Sequence, residues 1–104
     1  MNPEALKGHL DGLILATLSA GPAHGYAIAQ ALRGRSGGTF DLPEGTLYPA
    51  LHRLERAGLI ESEWSTEAGR RRRTYRLTRS GERGLKRRRV EWRTFASAVE
   101  AVLA

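Results

Sequence analysis

Between Leu42 and Gly58 the segment LPEGTLYPALHRLERAG places Leu47, Leu51 and Leu54 at i, i+4 and i+7, a single apolar stripe along a helix. Pro43 in front and Gly58 behind bound it. At about 100° per residue, Gly45, Pro49, His52, Arg53 and Arg56 lie farthest from the stripe, with Thr46 and Tyr48 on its flanks near the N-terminus. Pro49 has no amide donor, so the regular helix is expected to begin near Gly45 or to bend at Pro49.

The same pattern predicts two helices upstream. From His9 to Ala20, Leu10, Leu13, Ile14 and Leu18 recur at helical spacing, while Leu15 lies off their stripe and calls for a second packing partner. Gly21 and Pro22 end that helix. From about His24 to Arg35, Gly25, Ile28, Ala29 and Leu32 share one face and Tyr26 points elsewhere. Ser36, Gly37 and Gly38 form a break, after which Thr39 to Leu42 alternate as a short strand.

Downstream the period shifts to two. Leu59 to Ser65 reads as a strand with Ile60 and Trp64 on one side, and Arg72 to Leu77 as its partner with Tyr75 and Leu77 on one side. The loop between them, Thr66 to Arg70, contains Gly69, which suits a positive φ. Thr78 is suited to cap a final helix from Arg79 to about Val102. Leu85, Trp92 and Val99 repeat there every seven residues, with Phe95 and Val102 between and Ala96 and Leu103 beside them; Arg88 sits where an apolar residue is expected. A helix of about 24 residues is about 36 Å long, so its C-terminal half must bury that stripe against something outside its own subunit. The simplest partner is the same helix of a second copy.

These elements predict a mainly α, α+β chain: a winged helix-turn-helix DNA-binding domain over 1–78 and a C-terminal dimerisation helix over 79–104. Helix, helix, helix, strand, basic turn, strand is the order in which one helix enters a major groove and a cationic hairpin lies beside it. The dimer interface or effector pocket is expected to draw on Leu10, Leu15, Leu85, Trp92, Phe95, Ala96, Val99, Val102 and Leu103.

Charge sharpens this picture. Among 104 residues, 17 Lys and Arg stand against 11 Asp and Glu, a formal net charge of +6 that attracts polyanions such as nucleic acid. With no Cys, thiolate metal sites and cysteine nucleophiles are excluded. His9, His24 and His52 are far apart, and neither HExxH nor a G-x-S-x-G nucleophile setting nor a phosphate-cradling glycine loop occurs, so no enzyme chemistry and no cofactor is expected. The longest apolar run, Leu13 to Leu18, is too short to span a bilayer, and MNPEALKGHLDG has no basic leader followed by an apolar block, which predicts a cytoplasmic protein without membrane partners.

Four consecutive guanidinium groups, Arg70 to Arg73, suit phosphate or minor-groove contact, the alternative being a solvated loop. His52 and Arg53, opposite the leucine stripe, are candidates for base edges, the alternative being ordinary surface residues, and Thr46, Tyr48 and Pro49 for the groove entrance, where helix amides favour a phosphate, the alternative for Thr46 and Tyr48 being local capping or core packing. Tyr26 is a phosphate contact or a core residue. Lys86 to Arg89 read as a solvated or DNA-facing flank.

The segments LKGHLDGLILATL, GPAHGYAIAQAL, LPEGTLYPALHRLERAGLI and GRRRRTYRLTRSG, in this order and spacing, resemble the PadR family of bacterial transcriptional regulators over nearly the whole chain. The single short C-terminal helix resembles its smaller subfamily. The resemblance implies a homodimeric repressor that binds a palindromic operator in double-stranded DNA and is released by a small, often aromatic or hydrophobic, effector. It implies that Thr46, Tyr48, His52 and Arg53 sit on the recognition helix, Tyr26 near the DNA backbone and Arg70 to Arg73 on the wing. Trp92 matches an aromatic that lines an effector pocket between subunits in some members; packing in a core or dimer interface is its other role. Two other readings stay open at this point: a winged-helix protein-interaction module and a nonspecific DNA-binding protein.

Overall fold

A computed structural model describes residues 8–104. Residues 1–7, which include most of MNPEALKGHLDG and the first two positions of LKGHLDGLILATL, lie outside it. The elements run α1 (Leu10–Leu18), β1 (Ala23–His24), α2 (Gly25–Arg35), α3 (Glu44–Arg56), β2 (Ile60–Glu67), β3 (Arg70–Leu77) and α4 (Arg79–Leu103). The strands form one antiparallel sheet in the order β1-β3-β2. This is the winged helix-turn-helix order, mainly α with a small sheet.

The leucine stripe of α3 is buried as the periodicity demands: Leu47, Leu51 and Leu54 are all within 2% of full burial. They meet Ile14 and Leu15 of α1, Ile28 of α2 and Ile60 of β2 in one core. Each such side chain contributes about 1.5–3 kcal/mol, so this core, rather than the exposed ion pairs, holds the three helices together. Leu15, off the main stripe of α1, is fully buried in the same core, and Leu10 and Leu85 are 5% and 4% exposed. These three residues, expected at a dimer interface or effector pocket, are therefore enclosed within their own subunit.

Two strand expectations change. Thr39 to Leu42 is not a strand: the Phe40 amide donates to Ser36 Oγ at 2.9 Å, a local bond that replaces a ladder partner, and Leu42 turns into the core. The third strand is instead Ala23–His24, paired with Tyr75 and Thr74 on the open edge of β3. The hairpin is also longer than its sequence suggested. Glu67 pairs with Arg70, leaving a two-residue turn at Ala68 and Gly69 with φ of +50° and +76°. Positive φ at both positions matches the twist of the flanking strands, which lets pairing run almost to the tip.

Thr78 caps α4, accepting the Gly81 amide at 3.0 Å and donating to the Gly58 carbonyl at 2.6 Å. Gly81 lies directly against the Leu59 carbonyl oxygen, where a Cβ would collide with backbone. After Leu85 no residue of α4 is buried.

Candidate nucleic-acid interface

Helix α3 starts at Glu44, one residue before the expected Gly45, and continues through Pro49. Pro49 cannot donate to the Gly45 carbonyl, and that surface is open: Thr46, Tyr48, Pro49, His52, Arg53 and Arg56 are all exposed. His52 and Arg56 make no side-chain hydrogen bond or ion pair among the described residues. Arg53 differs, because its Nη2 donates to Asp11 Oδ1 of α1 at 2.5 Å.

Three distant parts of the chain converge at the N-terminus of α2. The Tyr48 phenol from α3 rests on Gly25, and a Cβ there would fall 2.7 Å from its oxygen. His24 caps α2, its Nδ1 accepting the Ala27 amide at 3.2 Å, and its ring stacks on Tyr26, which is 65% exposed. From the hairpin, Arg72 Nη1 approaches His24 Nε2 to 2.7 Å. Arg72 has no other side-chain partner among the described residues, so its remaining donors are open to an anion beside helix amides that favour one.

The arginine run does not act as a unit, because a strand alternates its faces. Arg71 and Arg73 lie on the Trp64 side, their guanidinium carbons 4.7 and 5.5 Å from the indole centroid. Arg73 is also latched: its Nε donates to Ser62 Oγ at 2.7 Å and its Nη2 lies 3.5 Å from Glu55 Oε2, while Ser62 donates to the same carboxylate at 2.8 Å. That network ties the hairpin to the end of α3. Arg70 and Arg72 occupy the opposite face, Arg70 at the tip with no side-chain partner among the described residues. Arg76, farther down, is neutralised by Glu61 and Glu63 at 2.9 and 3.0 Å, and hydrogen bonds to both raise its already high pKa. Beneath the network, burial raises the Tyr75 hydroxyl above its ordinary value, with Arg73 opposing and Glu55 and Tyr48 adding to the shift.

Sequence reasoning missed His24, Glu55, Trp64 and Asp11. His24 is a rare type of helix cap, so no pattern signalled it. Trp64 was visible as a strand aromatic, yet its 54% exposure under two guanidinium groups emerges only from the cross-strand register.

The family model described as the transcriptional regulator PadR-like family matches residues 14–87. The chain belongs to the PadR-like family of transcriptional regulators. Transcriptional regulator Rv3488 of Mycobacterium tuberculosis is 47% identical over 62 residues, 60% of this chain and 55% of that one. Among solved structures, a transcriptional regulator from Clostridium thermocellum superposes with a TM-score of 0.86 at 32% identity, covering 93% of this chain and 95% of that one. A PadR family transcription regulator from Clostridium difficile R20291 gives 0.82 at 36% identity over 92% and 99% of the two chains.

The PadR-like match stops at Arg87, so most of α4 lies beyond it. There Trp92, Phe95, Val102 and Leu103 are between 52% and 84% exposed, Val99 is 37% exposed and Ala96 is half-buried. Trp92 meets His9 edge-on at 5.1 Å and Phe95 at 6.0 Å. Among the described residues, no group of three or more His, Cys, Asp or Glu is placed to hold a metal ion, and no helix is long and apolar enough to cross a membrane.

Proposed function

We propose that this PadR-like protein is an operator-specific transcriptional repressor that works as a homodimer on double-stranded DNA. The convergence of Tyr48, Tyr26 and Arg72 around the N-terminus of α2 carries the reading, because it sets phosphate-binding groups from three elements beside the open face of α3. In this reading α3 enters the major groove, His52 and Arg53 meet base edges, Thr46, Tyr48, Pro49 and Tyr26 line the backbone, and of the Arg70 to Arg73 run Arg70 and Arg72 lie along the adjacent backbone or minor groove, while Arg71 and Arg73 brace the hairpin on its Trp64 face.

Residues 1–78 form the DNA-binding unit and 79–104 the dimerisation helix. The exposed stripe of α4 supports that role: contiguous large apolar groups on a helical arm are costly in water and complementary to a second copy. Two-fold pairing of α4 presents two α3 helices to an inverted repeat whose half-sites lie about 34 Å, or a multiple of it, apart. Trp92 and Phe95 at that seam suit a flat aromatic effector that alters the pairing and releases the operator. The protein acts in the cytoplasm, binds rather than transforms its ligands, and needs no cofactor.

Genome-wide mapping of bound sites tests the proposal. Discrete sites sharing an inverted repeat are expected, with transcription of the adjoining genes rising when the protein is removed. A uniform profile rules out operator specificity, and stable capture of a protein partner without DNA favours an interaction module.

A further inference from the structure

We infer that Asp11 is a positioning residue through which the α4 arm sets how Arg53 meets DNA. The inference rests on the DNA-reading role proposed for α3. Asp11 lies in the first turn of α1, and its carboxylate is shared between two helices: Oδ1 accepts from Arg53 Nη2 of α3 at 2.5 Å, and Oδ2 lies 3.9 Å from Arg88 Nη2 of α4. The three side chains are 25%, 57% and 34% exposed, so they sit at the margin of the core where water only partly screens them.

Packing brings Arg88 to this place. Arg88 interrupts the apolar repeat of α4, and its stem crosses α1 at Gly12, next to Asp11: a Cβ on Gly12 would lie in ordinary contact with Arg88 Cδ, at 3.4 Å. Arg88 Nε is buried there without an acceptor among the described residues, so Arg88 is directed at α1 by packing rather than held by a full set of bonds.

One carboxylate facing two guanidinium groups leaves a surplus positive charge. The closer Asp11 is drawn to Arg88, the less it holds Arg53, and conversely. A rotation of α4, such as dimer rearrangement would produce, therefore changes the freedom of a cation on the reading helix. With one Nη2 proton on Asp11, the remaining donors of Arg53 are aimed rather than loose, which favours a fixed acceptor over any nearby phosphate.

The test uses the full chain, a duplex enriched by this protein from a random pool, and a scrambled duplex of the same composition, at one salt concentration. Asp11→Asn should tighten binding to the scrambled duplex more than to the enriched one, lowering discrimination about tenfold, within the usual range of coupling between sites. Asp11→Glu should restore it. With Arg53→Ala present, Asp11→Asn should shift both duplexes equally, as a plain charge change does. Arg88→Met keeps the stem and leaves Asp11 wholly to Arg53; it should raise discrimination when Asp11 is present and have no such effect in Asp11→Asn. Equal effects of Asp11→Asn on both duplexes with Arg53 intact, or an Arg88→Met effect independent of Asp11, overturns the inference alone. A wild-type protein that enriches no duplex overturns the DNA-reading proposal and this inference with it.

Discussion

The phenol of Tyr48 fills the space that a side chain on Gly25 would need, with two of its ring carbons 2.9 Å from a Cβ placed there. Because the obstructing group is the outer end of an exposed side chain, Gly25→Ala displaces Tyr48 rather than the fold. Alanine favours the helix by about 0.5–1 kcal/mol over glycine, against about 1–3 kcal/mol for overpacking, so the net loss of stability should be no more than about 2.5 kcal/mol. DNA affinity should fall as far as in Tyr48→Ala, and the double variant should fall no further; binding isotherms and thermal melts read both. Gly81→Ala has no such relief, since its Cβ meets the Leu59 carbonyl, and it should cost about 2–3 kcal/mol or more.

The wing arginines should separate by face in the salt dependence of binding. Arg70→Ala and Arg72→Ala should each reduce the slope of log K against log salt by about 0.9, the value for one lost phosphate contact. Arg76→Ala should leave the slope unchanged, because that guanidinium already faces Glu61 and Glu63. Slopes unchanged from wild type in all three would remove the hairpin from the DNA.

Trp92→Ala with Phe95→Ala should convert a dimer to a folded monomer at micromolar concentration, read by light scattering after size exclusion. Leu15→Ala should behave differently: its side chain is fully buried in the subunit, and its loss should cost about 2–5 kcal/mol of stability. A wild-type monomer would contradict the role given to α4.

Tyr75 gives a pH signature. Its folded-state pKa is raised from 10.0, so the neutral phenol is the form the fold prefers. That stabilisation is complete below pH 10.0, the unfolded value, and is lost as pH rises through the raised value. Stability measured by denaturant unfolding should decline in that alkaline window, and Tyr75→Phe should abolish this part of the decline along with one late-titrating phenolate signal.

Much of this was legible in the sequence because burial imposes a period. The α3 stripe and the α2 face emerged as read, and the N-cap at Thr78 holds the bond its hydroxyl suggested. Contacts set by tertiary approach were not legible. Nothing local distinguishes Leu15 facing its own core from Leu15 facing a partner, and a two-residue β1 has no period to detect. Thr66, Glu67 and Arg70 read as loop because Gly69 signalled a turn, whereas Ala68 joining it at positive φ extended the ladder to Glu67 and Arg70 and divided the arginine run between faces. The Asp11–Arg53 pair joins residues 42 apart, and no spacing rule reaches that far.

The central claim is that the α3 face and the wing read a particular sequence. Competition binding at physiological salt tests it most directly, with an enriched duplex labelled and bulk genomic DNA added as competitor. Retention of the labelled duplex against at least about a 10³-fold excess of competitor sites is predicted, the lower end of specific recognition. Displacement in simple proportion to the competitor, as for a protein that binds any duplex equally, would contradict it.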